Sequence, residues 1–157
     1  MNYSLDTVNE SLGTAPVSEY NSLASVQSRM DANAQTTIKQ AMANGATGRI
    51  AGNQADRLFN AANKAFNEEL IQNGSQYRIL VQPSRDINGE VANYGELGSR
   101  RLDATITDVS GKTTYSGYDI TVSPKRWNSD IINKQYIGRF KIDEGKVREF
   151  NPFGQRP

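Results

Sequence analysis

Helical periodicity in the first half of the chain and strand periodicity in the second predict an α+β fold, with N-terminal helices followed by a mostly antiparallel, mixed sheet. A third observation limits what such a fold can do: the 157 residues include no histidine and no cysteine. That excludes Ser-His-Asp and Cys-His catalysis, imidazole-built zinc sites, thiolate chemistry and disulfides. Catalysis is left to carboxylates, Lys, Tyr, Ser/Thr, Arg or a hard metal ion held by oxygen.

The length suits one domain. Such a chain can bury roughly two thirds of its unfolded surface, and 36% hydrophobic residues predict a modest core. No apolar run approaches the ~18–20 residues of a membrane span, so the expected partners exclude a membrane. The N-terminus does not have the pattern of a signal peptide; an export address, if there is one, lies elsewhere, as in a larger parent chain. Net charge is +1 but unevenly spread: five Lys/Arg against seven Asp/Glu through Gln76, then thirteen against ten. The pairs Arg100-Arg101 and Lys125-Arg126 read as a solvated surface or as a phosphate-contacting rim.

Residues 1–52 read as a helical or loose lead-in and 53–157 as the α+β unit that carries any site. Met1 to Pro16 is polar. From Ser18, a candidate N-cap, to about Asn44, the residues Leu23, Val26, Met30, Ala34, Ile38 and Met42 recur at helical steps. This stripe is thin, which suits a helix that packs weakly or against a partner. Gly45, Gly48 and Gly52 interrupt the pattern. Asn53 to Asn73 forms the best-defined helix, with Leu58, Phe59, Ala62, Phe66 and Leu70 on its apolar face, Asn53 as cap and Gly74 as stop.

Periodicity then shifts toward two. Tyr77–Gln82 predicts a strand ended by Pro83, and Asn88-Gly89 predicts a turn. Arg101–Asp108 predicts a second strand and Thr113–Ser123 a third. Asn128–Gln135 suits a short helix. Tyr136–Ile142 and Lys146–Phe150 suit a closing hairpin, and the tail from Asn151 is expected to be a loop.

The second and third strands carry the candidate chemistry. Ser110-Gly111-Lys112 fits a three-residue hairpin loop with Gly111 in the left-handed region. That register sets Thr107 opposite Tyr115, Thr105 opposite Gly117, and Asp103 opposite Asp119. A two-residue loop would mix the apolar and polar faces. The two carboxylates then stand about 4.5–5.5 Å apart at Cβ, in a hollow left by small Thr and Gly. Like charges so placed call for a compensating cation or a flanking Arg or Lys; Mg²⁺ suits a pair of carboxylates because it retains several waters. The alternative is a solvent-facing sheet surface with Asp103 paired to Arg101 or Arg126. Glu68 and Glu69 are either a third carboxylate or a solvated helix face, Lys125 either a holder of water or phosphate or a surface lysine, and Gln82 a candidate for the edge of the site. Trp127 reads as a core anchor or lid.

The order of these features, from Asn53 to Ser123, resembles the core of restriction-endonuclease-like PD-(D/E)xK nucleases, especially those at the C-termini of bacterial polymorphic and contact-dependent inhibition toxins. A helix with an acid (Glu68 or Glu69) precedes the strand YRILVQ, a strand with Asp103, and a hairpin to a strand with Asp119. The resemblance covers roughly half of the chain. It implies a metal-dependent nuclease acting on DNA or RNA. Asp103 and Asp119 would hold Mg²⁺ with Glu69 or Glu68 as helper, and Arg100, Arg101, Arg126 and Lys125 would contact phosphate. It further implies an immunity protein as partner, secretion as part of a larger protein and action in the target-cell cytoplasm. In the family a lysine follows the second acid by two residues; here that position is Thr121, and Lys125 is the candidate replacement. Two other classes remain: a binding or structural module that uses the first helix as its interaction element, and an ADP-ribosyltransferase-type toxin.

Overall fold

The structure is a computed structural model that describes residues 19–43, 45, 47–93, 95–123, 139–142 and 147–155. Among the described residues two long helices precede the strands, as the periodicity predicts. Helix α1 spans Leu23–Ala43 and α2 spans Gly48–Gln72. Five strands then form one mixed sheet in the order β1-β4-β5-β6-β7, and a separate two-stranded sheet pairs β2 with β3. The strands are β1 Tyr77–Val81, β2 Ser84–Arg85, β3 Arg100–Arg101, β4 Ala104–Asp108, β5 Thr114–Ile120, β6 Val147–Asn151 and β7 Gly154–Gln155. Among the named strands the pairings are antiparallel except β5 with β6, and Thr114 of β5 also makes a parallel bridge with Ile142.

Helix α1 starts at Ser22, whose Oγ accepts the Ser25 N–H at 3.0 Å while its carbonyl accepts the Val26 N–H. The proposed cap Ser18 lies outside the described residues. Helix α2 begins five residues earlier than the apolar pattern suggests, at Gly48 after Thr47, so Asn53 is inside the helix and not its cap. The reason is burial: Ala51 and Ala55 extend the buried face by one and two turns, which outweighs the ~1 kcal/mol penalty of a helical glycine. The helix ends as expected. Gly74 takes φ +66°, and the N–H groups of Gly74 and Ser75 close on the carbonyls of Ile71 and Leu70.

One core joins both halves of the chain. Val26, Met30, Ala34 and Ile38 of α1 and Phe59, Phe66 and Leu70 of α2 pack on Ile79, Ala104, Ile106, Tyr118 and Phe150 of the sheet. Met42, expected in this stripe, is exposed, and Ala41 and Thr37 are buried in its place. Polar bonds pin α1 to the sheet as well. The Tyr118 hydroxyl donates to Asp31 at 3.0 Å, and Arg148 holds the same carboxylate with two bonds of 3.0 and 2.6 Å. No helix among the described residues is long and apolar enough to cross a membrane.

Three strand expectations change. The predicted strand Arg101–Asp108 is split in two: Arg100–Arg101 pairs with β2, the chain bends at Asp103, and β4 starts at Ala104. The bend turns Leu102 away from Ala104 and Ile106 into a second cluster with Phe140, Ile142 and Val147. The closing hairpin is β6–β7, joined through Pro152 and Phe153, so part of the tail is strand; β6 runs parallel to β5. The segment 124–138, with the expected short helix and Lys125, Arg126 and Trp127, lies outside the described residues.

Candidate functional site

The β4–β5 hairpin brings the two aspartates together. Ala104 pairs with Tyr118, Thr105 with Gly117 and Ile106 with Ser116, and continuing this register sets Asp103 opposite Asp119. A bulge follows, so that Thr107 pairs with Thr114 and not with Tyr115. The extra residue, Tyr115, lies within β5, and the loop beyond turns at Gly111, which takes φ +76° and donates its N–H to the Asp108 carbonyl. The bulge lies on the loop side, so it leaves the register at the carboxylates untouched.

Asp103 is held from three directions. Its N–H donates to the Tyr118 carbonyl, its carbonyl accepts the Gln82 N–H, and its Oδ2 accepts the Ile120 N–H at 2.8 Å. The Asp103 side chain thus serves Ile120 where the bend has carried the neighbouring strand backbone away. Gln82 adopts φ +51°, a left-handed conformation that costs a non-glycine residue on the order of 1 kcal/mol. This strain sits directly against Asp103, at the edge where Gln82 was expected.

The electrostatics are those of crowded acids. Burial pushes the Asp103 carboxyl well above the usual range, and the Asp119 charge, the Asp56 charge and a hydrogen bond with Asp119 push it the same way. The Ile120 N–H opposes them. Asp56, on the first turns of α2, is itself raised by burial and drawn back by the Arg101 guanidinium. In the parallel register Glu149 of β6 stands beside Asp119, and only 4% of it is exposed.

Open space lies on the helix side of this cluster. A cleft of about 740 Å³ is bounded by the start of α2, including Arg49 and Asp56, and by Ile120 to Ser123. The hollow expected around Thr105 and Gly117 is filled. A Cβ on Gly117 would fall 2.6 Å from Leu102 Cδ1 and 3.2 Å from Ile142 Cδ1, because Leu102 has swung onto that face. Gly117 is therefore needed for packing, and the cleft is bordered by Asp56 and by Ile120, whose N–H holds the Asp103 carboxyl.

The remaining candidates fall in different places. Glu69 is paired with Arg29 at 2.7 Å and accepts the Tyr20 hydroxyl at 3.0 Å, and the Arg29 bond holds its carboxyl below the usual range. Glu68 and Glu69 lie more than three turns along α2 from Asp56, roughly 18–20 Å at 1.5 Å per residue. The helix acid that meets the pair is therefore Asp56. Arg101 acts on Asp56, while Arg100 is exposed and donates to the Ser99 carbonyl. Lys125 and Arg126 lie outside the described residues. Asp56 and Glu149 escaped the sequence reading because neither belongs to the hairpin; Asp56 carried a signal, since it directly follows the buried Ala55 of the α2 face.

Among the described residues no three acidic side chains are grouped closely enough to hold a metal ion jointly. The pair Asp103–Asp119 fits a hard divalent cation on its own chemistry: two adjacent carboxyls offer oxygen ligands, and burial with the Asp119 and Asp56 charges makes Asp103 costly to ionise. No family model matches the sequence, and no curated protein matches it either.

Proposed function

We propose that this chain is a divalent-metal-dependent nuclease domain that hydrolyses phosphodiester bonds in DNA or RNA, of the kind carried by bacterial polymorphic toxins. The observation that carries this reading is the Asp103–Asp119 pair, set opposite one another by the β4–β5 register, where burial and the Asp119 charge make Asp103 costly to ionise. Mg²⁺ would lower the cost of ionising Asp103 and would take both carboxyls as oxygen ligands. A bound Mg²⁺ offers charge stabilisation at a phosphoryl oxygen and an acidified water. In this reading Asp103 and Asp119 hold the ion, and Ile120 fixes the Asp103 carboxyl by its N–H. Asp56 orients water or a second ligand from the helix side; burial raises its carboxyl, and the Arg101 guanidinium offsets part of that.

An immunity protein that covers the cleft, and delivery within a larger secreted protein to the target-cell cytoplasm, go with this function. The alternative of a binding module loses its proposed element, because the apolar stripe of α1 is buried in the chain's own core.

The test is direct. With Mg²⁺, pure protein is expected to cut plasmid DNA or total RNA, and EDTA to abolish cutting. Asp103→Asn and Asp119→Asn are each expected to lower the rate at least ~100-fold. Cutting that persists in EDTA or in both variants, or an intact protein that cuts neither substrate, overturns the proposal.

A further inference from the structure

We propose that a basic hollow at the far end of the β4–β5 hairpin binds the phosphate backbone of a nucleic acid, as a second contact for the substrate that reaches Asp103 and Asp119. The identity of the substrate rests on the nuclease reading; the binding itself does not. The hollow has a volume of about 330 Å³, and its described lining includes Arg85, Lys112, Arg139 and Lys141 against one acid, Glu90. In a chain of net charge +1 this is a marked local excess of positive charge.

The hollow is built by close packing. The Asp86–Gly89 turn lies on residues 139–141, where a Cβ on Gly89 would fall 2.9 Å from the Arg139 carbonyl oxygen. The Arg85 guanidinium lies 5.5 Å from the centre of the Phe140 ring, and Arg139 Nη1 donates to the Gly98 carbonyl at 2.6 Å. An aromatic face and a backbone carbonyl orient these cations without cancelling their charge. Lys141 takes φ +52°, a strained conformation for a side chain other than glycine. The Asp108 carboxylate nearby is occupied by the Ser110 hydroxyl and the Lys112 N–H.

Spacing favours a polymer over a single phosphate. Asp103 precedes β4, and Ser110–Lys112 lies beyond its other end, a separation of roughly 20 Å at about 3.3 Å per residue. That matches about six base-pair steps of duplex at 3.4 Å each. An extended strand of phosphates can touch both ends of the hairpin, with acids that attract a metal ion at one end and cations that hold the backbone at the other.

The experiment measures binding in the Asp103→Asn/Asp119→Asn background, so that substrate is not consumed. Duplexes of about 24 and about 6 base pairs, in DNA and in RNA, are titrated across a salt series. Adding Lys112→Ala/Lys141→Ala, both at exposed positions, is expected to weaken the long duplex about tenfold. It should also reduce the salt slope by about 2. Lys39→Ala/Lys64→Ala, exposed lysines on the helices, should leave the slope unchanged. An unchanged affinity and slope in the Lys112/Lys141 variant, or no binding of the long duplex at all, overturns the proposal. If the long duplex binds as described while the native chain cuts nothing with Mg²⁺, the nuclease reading fails and this contact stands. If the native chain cuts but the slope does not move, this contact alone fails.

Discussion

Asp103 is a carboxyl group that folding makes expensive to ionise. Burial, the neighbouring Asp119 and the charge of Asp56 all favour its neutral form, and a single backbone N–H opposes them. Its folded pKa therefore lies above the unfolded value of about 3.9. The linked stability is fully present below that unfolded value and is lost as pH rises through the folded pKa. Asp103→Asn, which keeps the shape and removes the charge, should raise stability at pH 7 by about 1 kcal/mol. In a chain of this size that is about 2–4 °C in Tm, and the gain should vanish near pH 3. Thermal unfolding across pH checks this; a variant less stable than the native chain at pH 7 would contradict the account. The encounter of Asp103 with Asp119 was legible because both lie in one hairpin, where the two-residue period and a turn glycine define the register. Asp56 and Glu149 were not legible, since they reach the pair from elements far away along the chain.

Among the elements, β4–β5 shows what local pattern reveals and what it hides. The register near the acids is as the polar and apolar alternation predicts. The bulge beside Thr107 and the bend at Asp103 are invisible in that pattern, because each depends on what the backbone meets elsewhere: β2 captures Arg101, and the Pro83 carbonyl captures the Leu102 N–H. The bend then packs Leu102 over Gly117. Gly117→Ala should destabilise the chain by about 1–3 kcal/mol through overpacking, and Leu102→Val should recover part of that loss in the double variant. Denaturant unfolding of the four proteins forms the cycle, and additive losses would show that the two side chains do not meet. The start of α2 was misplaced for a similar reason. Gly48 and Gly52 look like breakers by propensity, but buried Ala51 and Ala55 give the first turns a tertiary partner.

For the molecule as a whole, the helices-then-sheet order was legible from periodicity, and the parallel pairing of β5 with β6 was not. Parallel neighbours are joined by a crossover and leave no turn signature to read. The result is a sheet covered by helices on one face, with acids at one end of the central hairpin and basic side chains at the other. The account stands on the proposition that the acid end is a divalent cation site. Calorimetric titration of Mg²⁺, repeated in buffers of different ionisation enthalpy, tests it most directly. One ion should bind per chain with release of a proton from the Asp103–Asp119 pair, and Asp119→Asn should abolish both. Absence of binding, or binding with equal affinity in Asp119→Asn, would contradict it.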